Sequence, residues 1–190
     1  MRPCVPILGA GGFIGTHLRP HLAGRYGLLS VDLRRPTALI AQEGAGLEHW
    51  ERTFACDLGD GAQIDELFDQ IAPWLDDLAG VVHLAAHYDF KNEPDIRYDR
   101  LQEQMPGLIE RVDEAMPATA PLLYASSMAA MEATEPGEPL APDSPRFDGW
   151  AYPAHKHKSE LILEGARLER PVAELVLAGV YSDRGELVPL

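Results

Sequence analysis

The sequence has few basic residues, few cysteines and no long apolar run. Its 190 residues contain 16 Lys and Arg against 30 Asp and Glu, which gives a formal net charge of −14. Phosphate backbones and anionic lipid surfaces require clustered Lys and Arg, so this balance argues against a nucleic-acid or membrane partner. No segment approaches the roughly 20 apolar residues that span a bilayer. The apolar stretch at 4–8 is too short for a signal-peptide core, so we expect a cytoplasmic protein that acts on a small molecule.

The two cysteines, Cys4 and Cys56, lie far apart and belong to no Cys-x-x-Cys or Cys/His cluster. They therefore predict buried core side chains. A chain of this length buries roughly 70% of its unfolded surface and needs no disulfide or metal to fold. We expect one single domain over residues 1–190.

Short apolar runs alternate with stretches of helical periodicity along the chain. The sequence predicts strands at 5–8, 28–31, 52–55, 80–84, 121–124 and 173–177, and helices at 14–25, 63–75, 94–116 and 152–169. Apolar runs without alternation are typical of parallel strands that are buried on both faces. The predicted fold is therefore α/β, a Rossmann-type doubly wound parallel sheet in three layers, α/β/α.

Prolines interrupt this pattern in two places. Four prolines lie among Glu, Asp and Ser in the stretch 134–146, which is predicted to run over the surface without helix or central strand. Pro20 lies in the second turn of the first predicted helix and is expected to bend or shorten it.

The first predicted strand leads into a glycine-rich turn and then a helix. Glycines at 9, 12 and 15 permit a sharp turn, a close approach of the backbone to a pyrophosphate, and tight packing of helix on strand. Asp32 ends the second strand 20 residues after Gly12, where a carboxylate can accept hydrogen bonds from an adenosine ribose. Together they predict a dinucleotide site, and a solvent-facing Asp32 in a turn is the plainer alternative.

The charge near Asp32 bears on the choice of nucleotide. The Asp32 carboxylate would repel a 2′-phosphate and so favours NAD. Arg34 and Arg35 follow closely and could pair with such a phosphate, or they could be ordinary solvated charges. NAD is the expected cofactor, with NADP as the alternative.

Tyr152 and Lys156 are four residues apart in the last predicted helix, so their side chains share one face. A tyrosine of ordinary pKa near 10 becomes a usable acid/base when an ammonium group stabilises its phenolate. Ser127 stands at the carboxyl end of the fifth strand, the edge where open α/β sheets bind ligands, and Ser126 competes with it. Alone, a Tyr/Lys pair at this spacing is usually a solvated pair.

Six segments in chain order resemble motifs of the extended short-chain dehydrogenase/reductase family, the NAD-dependent epimerase/dehydratases. The resemblance covers nearly the whole chain, and six ordered matches are far more specific than one. The segments are Gly9-Ala10-Gly11-Gly12-Phe13-Ile14-Gly15, Cys56-Asp57-Leu58, His83-Leu84-Ala85-Ala86, Ser126-Ser127, Tyr152-Pro153-Ala154-His155-Lys156 and Ala178-Gly179-Val180-Tyr181.

The resemblance implies a role for each of these segments. It implies an NAD(P)-dependent oxidoreductase of the epimerase/dehydratase type that transfers a hydride at a carbinol or carbonyl carbon. Tyr152 would be the acid/base, Lys156 would bind the nicotinamide ribose and lower the tyrosine pKa, and Ser127 would orient the substrate oxygen. Cofactor contacts would come from Gly9, Gly12, Phe13, Ile14, Gly15, Asp32, Arg34, Asp57, Leu58, Leu84, Ala85, Ala86, Tyr152 and Lys156.

The chain departs from the family pattern in the helix at 94–116. The family carries an Asn there, and Gln104 is the residue that aligns best with it. Pro106 is expected to disturb this helix and with it a proton relay. Met131 stands where the family's serine segment often ends in Tyr.

Several histidines lie near these motifs. His155 and His157 would point to different sides of a helix, and no carboxylate cluster completes a ligand set, so no metal is expected. His87, Tyr88 and Phe90 could line a substrate pocket, and loop aromatics packed on the sheet edge would explain them equally well.

The length of the chain supports a second hypothesis. Family members continue well past the segment that matches Tyr181, with elements that form most of the substrate site, whereas this chain ends at Leu190. We therefore expect a truncated or minimal substrate-binding part, and a nucleotide-binding sensor or fragment without turnover is the alternative function. The resemblance also implies a homodimer and a small-molecule substrate, for which a sugar nucleotide is a candidate.

Overall fold

A computed structural model describes residues 3–39, 50–89 and 93–181. The described residues form one sheet in the order β3-β2-β1-β4-β5-β6, and every neighbouring pair is parallel. The order reverses between β1 and β4, which opens a crevice at the carboxyl ends of these strands. The predicted Rossmann-type sheet is confirmed, with strands β1 (Cys4–Leu8), β2 (Gly27–Asp32), β3 (Glu51–Ala55), β4 (Val81–His83), β5 (Leu122–Ser127) and β6 (Val172–Leu177).

Four α-helices connect these strands: α1 (Phe13–Ala23), α2 (Gly61–Ile71), α3 (Ile96–Ala115) and α4 (Ala151–Gly165). The Asp60 carboxylate caps α2 by accepting from two backbone N–H groups, and Asp95 caps α3 by accepting from the Arg97 N–H. Both contacts satisfy donors that a helix start leaves unpaired. None of the helices in the described parts of the chain is long and apolar enough to cross a membrane.

The two faces of the sheet bury separate apolar clusters. On one face, α2, α3 and α4 pack over a large cluster that includes Phe68, Ile109 and Leu163. On the other face, α1 covers a smaller cluster around Ile7 and Leu28. Alternate residues of β1 enter the two clusters, as a buried parallel strand requires. Cys4 and Cys56 are free and buried, as the sequence predicts.

Prolines disturb the helices less than expected. Pro106 lies inside α3, yet this helix runs for 20 residues without interruption. The lost backbone hydrogen bond costs about 3 kcal/mol, and burial of the neighbouring Met105, Leu108 and Ile109 offsets it. Pro20 lies inside α1, which ends at Ala23, two residues before the predicted end.

The proline-rich stretch 134–146 contains no helix or strand, as predicted. Its backbone forms turns and a single antiparallel bridge between Met131 and Arg146. This bridge holds the stretch against the end of β5, near the start of α4.

A buried ion pair between α1 and the first residue of β3 holds the loop that follows β2. The Arg19 guanidinium Nη1 lies 3.3 Å from Glu51 Oε1, and both side chains are almost fully buried. Arg19 also donates to the Thr37 carbonyl at 3.0 Å, while Glu51 accepts from Ser30 Oγ and from the Leu39 N–H at 2.6 Å. The pair therefore holds the loop that begins directly after Asp32.

We predict that Arg19→Met lowers the free energy of unfolding by about 3–5 kcal/mol, because Glu51 is left as an unpaired buried charge. Urea denaturation measures this loss. Arg111→Met is the matched control, since the Arg111–Asp65 pair is largely exposed and is worth about 1 kcal/mol or less. The double variant Arg19→Met/Glu51→Gln should recover part of this lost stability. If it recovers none, the loss does not come from the unpaired Glu51 charge.

Candidate cofactor and active site

The glycine turn between β1 and α1 is pressed against the chain that follows β4. Gly9 has φ +87°, and a Cβ there would lie 2.6 Å from the Ala85 nitrogen. A Cβ at Gly15 would lie 2.5 Å from the Gly9 carbonyl oxygen. The Gly9 and Ala10 N–H groups both donate to the Val31 carbonyl at 2.9 Å. Only glycine is accommodated at positions 9 and 15 in this turn.

Asp32 at the end of β2 is tied to the same turn. Its Oδ2 accepts a hydrogen bond from the Gly11 N–H at 2.9 Å. The carboxylate is half-buried and lies at the mouth of the crevice. This arrangement favours the dinucleotide site over the plainer alternative of a solvent-facing Asp32 in a turn.

Two adjoining cavities extend along the carboxyl edge of the sheet and share the glycine turn. One, of about 420 Å³, lies over β2 and β3, and the other, of about 220 Å³, lies over β5 and α4. All but one of the residues predicted for the site line one cavity or the other. They are Gly9, Gly12, Phe13, Ile14, Gly15, Asp32, Asp57, Leu58, Leu84, Ala85, Ala86, Ser127, Tyr152 and Lys156.

Arg34 is the exception, because it is exposed and lines neither cavity. The prediction of a cofactor contact at Arg34 therefore finds no support in the geometry. Two basic residues of α3, Arg97 and Arg100, line the larger cavity instead. Arg100 Nη2 lies 3.1 Å from Asp57 Oδ2. The sequence carried no spacing signal for this contact, because the contact depends on how α3 packs beside α2 and the loop that precedes α2.

Ser127 and Tyr152 converge at the end of β5. A side-chain hydrogen bond joins them and lowers the pKa of Tyr152, although burial has the larger effect and leaves this pKa above its ordinary value. Ser127 Oγ also accepts from the Ala129 N–H at 3.2 Å. Ser126, in contrast, is buried and donates to Glu160, so the geometry favours Ser127 as the serine of the site.

Lys156 lies behind Tyr152 and is almost fully buried. Its Nζ donates to the Ala125 carbonyl at 2.6 Å and lies 5.0 Å from the Tyr124 ring centroid and 5.9 Å from that of Tyr152. Burial lowers the pKa of Lys156 to about 8, against the opposing effect of two nearby glutamates. The resemblance implied a lowered Tyr152 pKa. In this structure burial has the largest effect on the Tyr152 pKa, and the Lys156 ammonium donates to a backbone carbonyl.

Aromatic side chains surround the tyrosine. The Tyr88 ring stands perpendicular to that of Tyr152, with centroids 4.6 Å apart, and the Trp150 ring lies 6.0 Å away. Tyr88 lines the smaller cavity and His87 the larger one. Both are therefore part of the crevice, while Phe90 lies outside the described residues.

Two glutamines of α3 contact different neighbouring helices. Gln104 faces α2, where its Oε1 would lie 2.7 Å from a Cβ at Gly61. Gln102 instead donates from Nε2 to Ser159 Oγ at 2.7 Å and to the His155 carbonyl at 3.1 Å. The amide contact between α3 and α4 thus comes from Gln102.

Among the described residues, one cluster could hold a metal ion: His87, Asp89 and Asp95, whose ligand atoms lie within 4.8 Å of one another. The sequence analysis did not identify it. Asp95 already accepts from the Arg97 guanidinium, which lowers the Asp95 pKa, and it lies 3.2 Å from His87 Nε2. These cationic and polar partners compensate its charge.

Solved structures with the same fold include two UDP-sugar 4-epimerases and the enzyme WbmG. The Bordetella bronchiseptica enzyme WbmG in complex with NAD has 22% identity and a TM-score of 0.70, with 97% of this chain and 56% of that chain covered. UDP-glucose 4-epimerase from Thermus thermophilus in complex with NAD has 23% identity and a TM-score of 0.67, with 96% and 57% covered.

A third solved structure extends this set. UDP-N-acetylglucosamine 4-epimerase from Methanobrevibacter ruminantium in complex with UDP-N-acetylmuramic acid has 22% identity and a TM-score of 0.69, with 93% and 55% covered. The chain thus spans about half the length of these structures. No curated protein matches the sequence significantly.

The sequence itself matches a defined family. The sequence model of the NAD dependent epimerase/dehydratase family aligns with residues 5–187. This alignment contains the glycine turn, Asp32, Ser127, Tyr152 and Lys156, all of which line the crevice described above. The chain therefore belongs to the NAD dependent epimerase/dehydratase family.

Proposed function

We propose that this chain binds NAD along the crevice and forms the cofactor-binding half of an oxidoreductase of the epimerase/dehydratase type. The observation that carries the proposal is the convergence of Ser127, Tyr152 and Lys156 on the same cavity that the glycine turn lines. A dinucleotide site and an acid/base group thus share one wall.

The residues present fit NAD. The glycine turn exposes backbone at the start of α1, where a pyrophosphate is favoured by the free N–H groups and by the helix dipole. Asp32 stands in the larger cavity, where its carboxylate can accept from ribose hydroxyls. Asp57 and Leu58 line the same cavity, as an adenine contact requires. The negative charge of Asp32 favours NAD over NADP, and Arg34 lines neither cavity.

The proposed chemistry assigns one proton and one hydride. The nicotinamide supplies or accepts the hydride when NAD is bound. Tyr152 exchanges the proton with the substrate oxygen, and the Ser127 hydroxyl, bonded to Tyr152, orients that oxygen. The raised pKa of Tyr152 keeps the phenol protonated at neutral pH, so it is ready to donate. Oxidation of a carbinol runs in the opposite direction, so Tyr152 must then be the phenolate that accepts the proton, and the positive charge of Lys156 stabilises this phenolate.

The proposed substrate class is a nucleoside-diphosphate sugar. This proposal rests on the family and on the three similar structures, whose names include UDP-sugar epimerases. Lys156 is the only cationic side chain among the described residues that line the smaller cavity. Groups outside this cavity would therefore have to bind the diphosphate. A homodimer is a further proposal that rests on the family. A nucleotide-binding module without turnover is the alternative function.

We predict that saturating NAD stabilises the chain. At 100 times its Kd the ligand adds about 2.7 kcal/mol, which corresponds to a Tm increase of about 5–10 °C. NADP should give a smaller increase because its 2′-phosphate meets Asp32. Asp32→Ala should reduce the NAD effect and narrow the difference between the nucleotides, with the exposed Asp69→Ala in α2 as the control. Thermal denaturation measures these Tm values. If neither nucleotide raises the Tm, the result contradicts cofactor binding.

We predict that Tyr152→Phe lowers turnover by about 10²–10⁴-fold, because the substrate oxygen loses its proton donor. Its NAD-induced Tm increase should persist, since the ring remains. UDP-glucose and UDP-N-acetylglucosamine are the first substrates to assay, by product analysis and nicotinamide absorbance. Tyr26→Phe, on the α1 face of the sheet, is the control. A wild-type chain that binds NAD without turnover of any substrate would favour the nucleotide-binding module.

We predict that kcat/KM is constant below about pH 7.5 and falls tenfold per pH unit above about pH 8. The pKa of Lys156 is lowered to about 8, so its positive charge is present below this value and is lost as the pH rises through it. A pH–rate profile measures the decline. Lys158→Gln, an exposed lysine on the same helix, should leave the profile unchanged. A profile that stays flat to pH 10 would contradict the role of the Lys156 charge.

A further inference from the structure

A buried carboxylate lies one helical turn after Lys156. Glu160 is 4% exposed, and its position on α4 places it on the same face as Lys156. One carboxylate oxygen accepts from Ser126 Oγ, and the other accepts from Arg146 Nε. Arg146 is held in turn by the Ser144 carbonyl at 3.1 Å. Glu160 therefore has a fixed position and a cationic partner.

A second carboxyl group from β6 joins Glu160. Glu174 lies opposite Tyr124 in the register of β5 and β6, and its side chain hydrogen-bonds to Glu160. The Glu174 Oε1 atom is buried and has no hydrogen-bond donor among the described residues. Ionising two carboxylates at hydrogen-bonding distance costs free energy, because the two negative charges repel each other. A proton between them satisfies both groups.

We propose that Glu160 and Glu174 hold one shared proton near neutral pH and act as a positioning pair that sets the negative charge behind Lys156. The catalytic consequence rests on the proposed function, in which the Lys156 ammonium assists Tyr152. The proton count does not depend on that function.

The charges around the pair explain how it would act on Lys156. The groups that face it are Arg146 from the loop before α4, Lys156 and Glu164 from α4, and Tyr124 from β5. With one proton the pair carries a single negative charge, which Arg146 neutralises. After the proton leaves to solvent, a second negative charge faces Lys156.

This second charge extends the pH range over which Lys156 stays protonated. Burial, together with the hydrogen bond and charge of Glu160, raises the pKa of Glu174 to about 7, below the value of about 8 for Lys156. The pair therefore loses its proton first as the pH rises. The added negative charge then opposes the loss of the Lys156 proton, so the two titrations are coupled.

Glu174→Gln tests the shared proton through stability alone. The folded-state pKa near 7 lies above the ordinary 4.5, so the proton stabilises the wild-type fold at low pH and this contribution is lost between about pH 4.5 and 7. The glutamine amide imitates the protonated carboxyl at every pH. The Tm of the variant minus that of wild type should therefore rise by about 3 °C or more from pH 5 to pH 8. The exposed Glu103→Gln of α3 is the control, and parallel curves for Glu174→Gln and wild type would overturn the shared proton.

A direct titration tests the effect on Lys156. In protein with ¹³C-labelled lysine, the Lys156 resonance, assigned with Lys156→Arg, should titrate about 0.5–1 pH unit lower in Glu174→Gln than in wild type. An unchanged midpoint would overturn the positioning role. If Glu174→Gln fails to fold, ¹³C-carboxyl titration of wild type decides the first claim: one glutamate should titrate near pH 7, and the absence of such a resonance would overturn it.

These measurements need neither nucleotide nor substrate. A chain that fails to bind NAD would defeat the proposed function and leave the titration of the pair intact. Where turnover is found, the decline in kcat/KM above pH 8 should begin about 0.5–1 pH unit lower in Glu174→Gln, with less than about twofold change at pH 6.5. An unshifted decline beside a shifted Lys156 titration would show that the Lys156 charge does not limit the reaction.

Discussion

The close approach of the backbone at Gly9 to the chain after β4 is the constraint on which the rest of the site depends. A Cβ at this position would overlap the Ala85 backbone, and two successive N–H groups of the turn are bonded to the Val31 carbonyl. These contacts bring β1, β2 and β4 together at the point where the strand order reverses. The crevice, its two cavities and the direction of α1 follow from this contact. Because the turn is fixed by backbone atoms, side chains around it are free to differ between relatives without loss of the cofactor surface.

The other half of the site depends on polar groups that are buried beneath the sheet edge. Lys156 reaches the Ala125 carbonyl, and Glu160 is held by Ser126 and Arg146. Further along, the buried Arg170 guanidinium bonds to Asp113 Oδ1 at 2.8 Å and to three backbone carbonyls. That contact fixes the chain just before β6 against α3, and so sets the register that places Glu174 beside Glu160. Buried charges of this kind are costly unless partners are supplied, and here most of the partners are backbone groups or side chains from a neighbouring element.

Sequence periodicity predicted all six strands and four helices, because a sheet buried on both faces produces apolar runs that need no tertiary information to find. Contacts across elements were harder to predict. Gln104 and Gln102 differ by two residues, about 200° around a helix, so Gln104 faces α2 while Gln102 contacts α4. Arg34 follows Asp32 in sequence but is exposed, whereas Arg97 and Arg100 reach the crevice because α3 packs beside α2 and the loop that precedes it. Pro106 was expected to disturb α3, and burial of its neighbours outweighed its local cost.

The Tyr152/Lys156 pair shows most clearly that a motif does not by itself establish the chemistry of its side chains. The spacing of Tyr152 and Lys156 places them on one helix face, but it does not say what else each side chain contacts. Burial favours the neutral form of both groups, so it raises the pKa of Tyr152 and lowers the pKa of Lys156. An ammonium that is bonded to a backbone carbonyl and surrounded by little water depends on nearby negative charge to stay protonated. The charge on Glu160 and Glu174 is therefore as much a part of the proposed acid/base chemistry as the Tyr/Lys spacing, although neither residue belongs to a sequence motif.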